Sequence, residues 1–247
     1  MKKTSTLLTG FLLLTIILHA QKKQSKFLTE LSFGPSFPIG RFASTEHKED
    51  EVPGFAKTGL SAQLSLGYYL NRSIGVMLLS GYTVHPQDED VYKKKLESYP
   101  NNMTVTHMDL KSWKSVKLMA GGFVVTPLTS ESELVLRTKL AAGVAKTAIP
   151  EINWTSTGPN SGPITNVTNV AHGDRTPLPW SFCYQVSAAL EYKLSKNLHV
   201  LLDITSFNTT AKDKISVTDV SSGTTTTIKF KYKQPAVNVM AGVGLSF

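Results

Sequence analysis

The chain of 247 residues contains a single cysteine, Cys183, so no disulfide can form within it. Exported β-sandwiches of this size from eukaryotes usually carry disulfides, and their absence argues against that class. Charged residues are also sparse, at 18%. The mean hydropathy of −0.07 is too low for a bundle of membrane-spanning helices. With 41% hydrophobic residues, the chain is nevertheless rich enough in apolar side chains to fold, which excludes a disordered protein.

Motifs for nucleic-acid recognition are missing as well. The formal net charge is +8, but the Lys and Arg residues are scattered, and no zinc-finger, helix-turn-helix or RNA-recognition pattern is present. We therefore expect no nucleic-acid partner. An anionic membrane surface that contains lipopolysaccharide suits this charge better.

A single long apolar run is present, and it lies near the N-terminus. Two lysines precede the run over Leu7–Leu18, and a small residue, Ala20, follows it. This order predicts a cleaved secretory signal peptide over residues 1–20, because the run is shorter than the about 20 residues that a membrane-spanning helix needs. We expect residues 21–247 to form one exported domain.

Beyond this segment, the dominant pattern is an alternation of apolar residues with small or polar ones. It is clearest in the last strand, whose apolar positions are Val237, Val239, Ala241, Val243, Leu245 and Phe247. A period of two predicts a β-strand with two unlike faces. A half-exposed sheet of a soluble protein usually turns charged residues to water, whereas the second face of this strand is small and almost uncharged.

The same alternation predicts eight strands in all, over residues 26–39, 57–70, 74–84, 108–126, 133–149, 180–194, 198–211 and 232–247. Long polar segments follow every odd-numbered strand, at 41–56, 86–106, 150–179 and 212–231. Short turns follow the even-numbered strands. In the fourth strand Trp113 and Val116 have opposite parity, so a β-bulge is expected between them. The last two strands are expected to continue outward as a protruding hairpin.

Connections of alternating length are typical of outer-membrane barrels. In hydrocarbon every backbone N–H and C=O must be paired, so a spanning sheet has to close on itself. The first strand is therefore expected to pair with the last. The predicted fold is all-β, a closed eight-stranded antiparallel up-and-down transmembrane β-barrel with long external loops. A soluble lipocalin-like barrel is the competing fold.

The polar face of these strands would form the interior of the barrel. An eight-stranded barrel is just wide enough for its side chains to fill, so we expect ion pairs and hydrogen bonds across the lumen and no open channel. The polar residues predicted to line it are Glu30, Gln63, Arg137, Lys139, Gln185, Glu191, Lys193, Asp203 and Asn238.

Patterns for catalysis or cofactor binding are absent from the sequence. His199 and Asp203 share the inward face, but four residues of strand separate them by about 13 Å, too far for a dyad. No His-X-Ser pair of the lipid A deacylase type occurs. The histidines expected in or beside external loops, as solvated side chains, are His85, His107 and His172. We expect no enzymatic activity, no catalytic or metal-binding residue and no cofactor.

Together, the signal peptide, the eight alternating strands, the rhythm of long and short connections and the terminal Phe247 resemble the small bacterial outer-membrane barrels. This group includes the OmpA transmembrane domain, OmpX and OmpW, and the resemblance is strongest to the PorT-like barrels of Bacteroidota. It covers nearly all of the exported chain. It implies a location in the bacterial outer membrane, contact with outer-membrane lipid and lipopolysaccharide, and Phe247 as the assembly signal for the barrel-assembly machinery.

The motifs that carry this resemblance are architectural, so they imply a fold and a location but no reaction. Two roles stay open. In the first, the barrel is a structural or interaction scaffold that displays its external loops for adhesion, surface protection or docking to an envelope protein. In the second, as in OmpW-like barrels, a small hydrophobic molecule passes through the barrel. A lipid-modifying enzyme is a less favoured third role.

Overall fold

A computed structural model describes residues 26–46, 52–98, 104–130, 133–150, 152–158, 161–164, 179–218 and 225–247. The predicted signal peptide and His172 lie outside these ranges. This part of the chain contains one helix, α1 (Glu89–Glu97), and the following strands: β1 (Phe27–Pro38), β2 (Gly59–Tyr69), β3 (Ile74–His85), β4 (Thr104–Leu110), β5 (Trp113–Pro127), β6 (Leu134–Ala148), β7 (Ile152–Gly158), β8 (Ser161–Ile164), β9 (Ser181–Lys193), β10 (Leu198–Thr218), β11 (Thr225–Lys233) and β12 (Ala236–Ser246).

Eight of these strands close into a barrel in the order β1, β2, β3, β5, β6, β9, β10 and β12, with every neighbouring pair antiparallel. The seam joins β12 to β1 and places Leu31 opposite Val243. At its end, the N–H of Phe27 donates to the carbonyl oxygen of Phe247 at 2.9 Å. This closed eight-stranded sheet confirms the fold class and the predicted pairing of the first and last strands.

The alternation in the sequence corresponds to two faces of the barrel wall. Outward side chains remain exposed although they are apolar: Phe33 and Leu60 are each 69% exposed, and Phe182 is 67% exposed. Inward side chains are buried, and an apolar cluster that includes Leu79, Met119 and Phe123 fills part of the lumen. The apolar face of each strand thus points away from the core, opposite to the arrangement in a soluble barrel.

The prediction of a β-bulge between Trp113 and Val116, in the fourth predicted strand, is wrong. β5 pairs with β3 without interruption, with Trp113 opposite His85 and Val116 opposite Tyr82. Trp113 points inward and is 5% exposed, whereas Val116 points outward and is 46% exposed. Both residues fit one regular strand because they lie on opposite faces. Trp113 can face inward, although it is aromatic, because it belongs to the buried cluster at the mouth of the barrel. The irregularity lies instead at Lys111 and Ser112, between β4 and β5.

The external segments contain more regular structure than the polar composition predicted. Helix α1 occupies part of the predicted 86–106 loop, and the Asp88 side chain caps it by accepting from the N–H of Val91 at 3.3 Å. Strands β4, β7 and β8 form a small separate sheet. Two strands therefore fall inside the predicted irregular segment 150–179. No helix in the described ranges is long and apolar enough to cross a membrane.

The predicted protruding hairpin is present. β10 pairs with β12 from Leu198 to Phe207 and then with β11 from Thr210 to Thr218. Nine residues of β10 therefore pair with β11 beyond the point at which its pairing with β12 ends. The short connections, around Asn71–Ser73 and Ser195–Asn197, lie at the opposite end of the barrel.

Candidate functional site

The lumen contains a buried ion-pair network centred on Arg137 of β6. Its guanidinium contacts the Glu30 carboxylate of β1 and lies 2.8 Å from Glu191 Oε1 of β9. It also donates to the Tyr69 hydroxyl at 2.7 Å, and it lies 5.0 Å from the centre of the Phe123 ring. Charge-assisted hydrogen bonds of this kind are stronger than neutral ones, so Arg137 links three strands other than its own.

Lys139, two residues along the same strand, forms the second connection. Its Nζ donates to Glu30 Oε2 and to Asp203 Oδ2, both at 2.9 Å. Asp203 also accepts from the Thr205 hydroxyl at 2.8 Å. Four strand positions separate β6 from β1 in the ring of eight, so the contacts of Glu30 with Arg137 and Lys139 span the full width of the lumen. Together they bridge the interior of the barrel at this level.

A second level of the lumen is organised by Lys117 of β5, which is 2% exposed. Its Nζ donates to Gln185 Oε1 at 2.8 Å and lies 4.6 Å from the centre of the Phe207 ring. The ring face is a favourable neighbour for a desolvated ammonium group. Lys117 thus ties β5 to β9 and β10 across the interior.

The charges inside the described barrel balance. The buried carboxylates are Glu30, Glu191 and Asp203, and the buried permanent cations are Lys117, Arg137 and Lys139. Buried charges persist when they are paired. With all six groups ionised, the described lumen therefore carries no net formal charge.

One group of lumen side chains has the composition of a metal site. Glu30, Glu191 and His199 each offer a ligand atom, and these atoms lie within 4.8 Å of one another. His199 Nε2 lies 3.7 Å from Glu30 and 4.0 Å from Glu191. The Arg137 guanidinium, however, already contacts both carboxylates. The positive charge that a metal ion would bring is thus supplied by the protein itself.

All but one of the polar residues predicted to line the lumen are buried there. Gln63, Gln185 and Asn238 are each 1% exposed, like the charged residues around them. Lys193 is the exception and is exposed. Its position in the alternation points inward, but it is the last residue of β9, at the open end of the barrel where water is available. Long cationic side chains move toward water when they can.

For two buried residues of the lumen, Lys117 and His199, the sequence does not reveal the partners. The register around Trp113 is ambiguous in the sequence, which leaves the face of Lys117 unassigned. His199 was recognised as inward-facing, but its neighbours are Glu30 and Glu191, whereas Asp203 pairs with Lys139. For both residues the sequence offers only their position in the two-residue alternation. That position assigns a residue to a face of the strand but does not identify its partners across the barrel.

The external mouth of the barrel is closed by the described parts of the connection between β1 and β2, residues 39–46 and 52–58, which we call the plug segment. Phe42 is 3% exposed and packs edge-on against the ring of Trp113, with centroids 5.7 Å apart. Trp113 Nε1 donates to the carbonyl oxygen of Gly54 at 2.8 Å. The ring of Tyr232 on β11 lies 5.9 Å from Trp113. The sequence predicted only a polar loop here, because isolated aromatic residues carry no periodic signal.

His85 belongs to this closed mouth, so its assignment as a solvated loop histidine is wrong. It is 3% exposed, and its ring nitrogens lie 3.1 Å from Ser36 Oγ and 3.0 Å from the carbonyl oxygen of Lys57. The Phe42 ring packs on it at 4.9 Å. As the last residue of β3, it faces inward because β3 keeps its alternation to the end. His107 is exposed, as expected.

Replacing Phe42 with alanine should loosen the plug segment while the barrel wall stays intact. Truncating a buried Phe costs about 3–5 kcal/mol of local packing, and here that packing holds a loop rather than a strand. We expect faster trypsin cleavage within residues 41–57 of the vesicle-inserted protein and unchanged heat-modifiable migration. Phe37→Ala, on the exposed outer face of β1, is the matched control. Equal cleavage rates in both variants would contradict the closing role of Phe42.

No protein-family model matches the chain, and no curated protein matches it either. Among solved structures, it is similar to Neisserial surface protein A, with 12% identity, 92% of this chain and 100% of that chain covered, and a TM-score of 0.46. It is also similar to Escherichia coli outer membrane protein W, with 14% identity, 92% and 100% covered, and a TM-score of 0.37. The Escherichia coli outer membrane protease OmpT shares 10% identity over 92% of this chain and 99% of that chain, with a TM-score of 0.37. These structural neighbours are outer-membrane barrels.

Proposed function

We propose that the protein is an integral protein of the bacterial outer membrane, a barrel with a filled lumen that acts as a structural scaffold and displays its external loops for interaction. The proposal rests on one observation, the contrast between the outer and the inner face of the barrel wall. An apolar outer wall surrounds the barrel, and a charge-balanced core fills it. Neither enzymatic chemistry nor a solute path is needed to account for this arrangement.

The outer wall supports the membrane location. Exposed apolar side chains are present on all eight barrel strands and include Leu31, Phe33, Leu60, Leu66, Val76, Leu78, Leu118, Leu140, Phe182, Val186, Leu202, Ile204 and Val243. A continuous apolar band of this extent is unfavourable in water but matches the hydrocarbon-facing band of a membrane barrel. Strands β1, β2, β3 and β12 contain no lysine or arginine at all.

The external side supports the scaffold role, because its segments are held together by specific contacts. The rings of Phe55 and Tyr92 pack edge-on at 4.9 Å, so the plug segment contacts helix α1. Lys57 forms an ion pair with Asp88 at 3.2 Å, and the N–H of Asp88 donates to the carbonyl oxygen of Phe55 at 2.8 Å. A surface with this many fixed contacts presents a defined shape to a partner, as an adhesin or a docking subunit requires.

Cell fractionation tests the location. The full-length protein, expressed in a bacterium with an outer membrane, should be recovered in that membrane and should migrate differently on gels with and without boiling. Recovery of folded protein in the soluble fraction without detergent would overturn the proposal in favour of a lipocalin-like carrier.

Reconstitution tests whether the lumen is closed. Because Arg137, Lys139 and Glu30 bridge it and the plug segment covers its mouth, we expect no stepwise single-channel conductance in planar bilayers and no solute uptake in liposome swelling. A general porin reconstituted in the same way is the positive control. Stable conductance steps, or uptake above that of empty liposomes, would refute the scaffold proposal and favour passage of a solute through the barrel.

A further inference from the structure

Among the described side chains of the barrel strands and the β10–β11 hairpin, the outward lysines near the external end lie on one side of the barrel. They are Lys114 on β5, Lys146 on β6, Lys212 on β10, and Lys231 and Lys233 on β11. The strands of the opposite arc, β12, β1, β2 and β3, have none, and Lys57, just before β2, is paired with Asp88 at 3.2 Å. Lysines spread evenly around the rim would suggest general attraction to an anionic surface. Their confinement to one arc points to a local site.

Within this arc lies a groove of about 510 Å³ on the outer surface, between β9 and the β10–β11 hairpin. One wall is aromatic and comprises Trp180, Phe182 and Tyr184. Lys212 and Lys233 line the same groove at the base of the hairpin. The apolar wall thus suits the acyl chain of an anionic lipid, and the cationic end suits its negatively charged headgroup.

The course of β10 explains why a groove exists at this point. Its ladder with β9 ends at the pair Cys183 and Thr209, but β10 continues to Thr218 paired with β11. Beyond Thr209 no described strand pairs with the β9-facing edge of β10. An unpaired strand edge is not tolerated in hydrocarbon, so this notch must lie above the acyl chains, at the level of the lipid headgroups.

The side chains around the groove fit that depth. Trp180 is 55% exposed, and the ammonium group of Lys146 lies 5.8 Å from the centre of its ring. Tryptophan and tyrosine prefer the boundary between headgroups and acyl chains. Phe182 and Tyr184 follow along β9 toward the apolar band, where an acyl chain would continue downward.

We propose that this groove binds the phosphorylated glycolipid of the outer leaflet, lipid A, with a phosphate at Lys212 and Lys233 and an acyl chain against Trp180, Phe182 and Tyr184. The inference rests on the proposed membrane location. The groove lies on the side of the long connections, which faces the cell exterior in such barrels, and lipid A is the lipid of that leaflet. A phosphate carries up to two negative charges, and lysine is a common phosphate ligand.

The test uses the full protein folded in detergent and first verified as a heat-modifiable barrel. Binding of bisphosphorylated lipid A is measured by native mass spectrometry for wild type, for Lys212→Ser/Lys233→Ser and for Lys114→Ser, a rim lysine outside the groove. We expect the double variant to bind at least about tenfold more weakly and Lys114→Ser to bind within about twofold of wild type. Lys212→Arg/Lys233→Arg, which keeps both charges, should retain binding.

Two further ligands decide which headgroup is recognised. Lipid A without phosphates should bind wild type and the double serine variant alike, and phosphatidylglycerol should bind wild type more weakly than lipid A. Equal binding of lipid A by wild type and the double serine variant would overturn the site, and lysine-dependent binding of phosphatidylglycerol as tight as that of lipid A would overturn lipid A as the occupant. A chain that folds only as a soluble protein would instead defeat the proposed location.

Discussion

Replacing Val243 with lysine should prevent stable insertion of the barrel. Val243 is 52% exposed on the outer face of β12, between Leu31 of β1 and Val200 of β10. A lysine on the lipid face costs about 2–4 kcal/mol near the bilayer midplane. That cost would fall on the seam strand, which must pair on both sides before the sheet is closed.

The measurement is the fraction of heat-modifiable protein after folding into lipid vesicles, together with the urea midpoint of unfolding. Val237→Lys is the matched control, because Val237 has the same residue type on the same face of the same strand, but at its external end. The cost there falls to about 0–1 kcal/mol. If both variants insert as well as wild type, the apolar band does not face lipid.

Replacing Arg137 with leucine should destabilise the inserted barrel by about 3–5 kcal/mol, because it leaves buried carboxylates without their main partner. Glu30 would keep Lys139, but Glu191 would lose the guanidinium that lies 2.8 Å from its Oε1, and His199 stands farther away, at 4.0 Å. The expected result is a lower urea midpoint in vesicles, with an unchanged apolar band and therefore normal recovery in the membrane.

Two companion variants separate charge from shape. Arg137→Leu/Glu191→Gln removes one charge of each sign, so part of the lost stability should return. Lys193→Leu removes a cation at the exposed end of β9 and should change the free energy of unfolding by less than about 1 kcal/mol. An Arg137→Leu barrel as stable as wild type would show that the network contributes no net stability.

The barrel itself could be predicted from the sequence, because a strand inside a membrane barrel obeys one strict rule. A period of two fixes the face of each residue, and the outward face must be apolar along its whole length. The outward positions of Leu31, Val243 and Phe182 can therefore be predicted from the local alternation alone, without knowledge of contacts to distant residues. The same rule located most of the interior polar residues.

The alternation does not determine the position of a residue along the barrel axis or its contacts across the lumen. It placed Glu30 and Arg137 inside, but whether they meet depends on how far each strand is displaced against its neighbours around the ring. For the same reason it placed Lys193 inside, although this residue stands at the water-exposed end. The plug segment follows no period at all. Phe42 is buried through packing with residues distant in the sequence, such as Trp113, which composition alone does not reveal.

The bridge across the lumen also constrains the order of folding. Glu30 lies on β1, and its partners Arg137 and Lys139 follow 107 and 109 residues later. These contacts form only when the first strand has taken its place beside β12. Until then Glu30 lacks both of its cationic partners, whereas Arg137 and Lys139 can already pair with Glu191 and Asp203 on β9 and β10. Contacts this distant in sequence slow folding. Partly zipped sheets should therefore be poorly populated, and closure of the ring and neutralisation of its interior should occur as a single cooperative step.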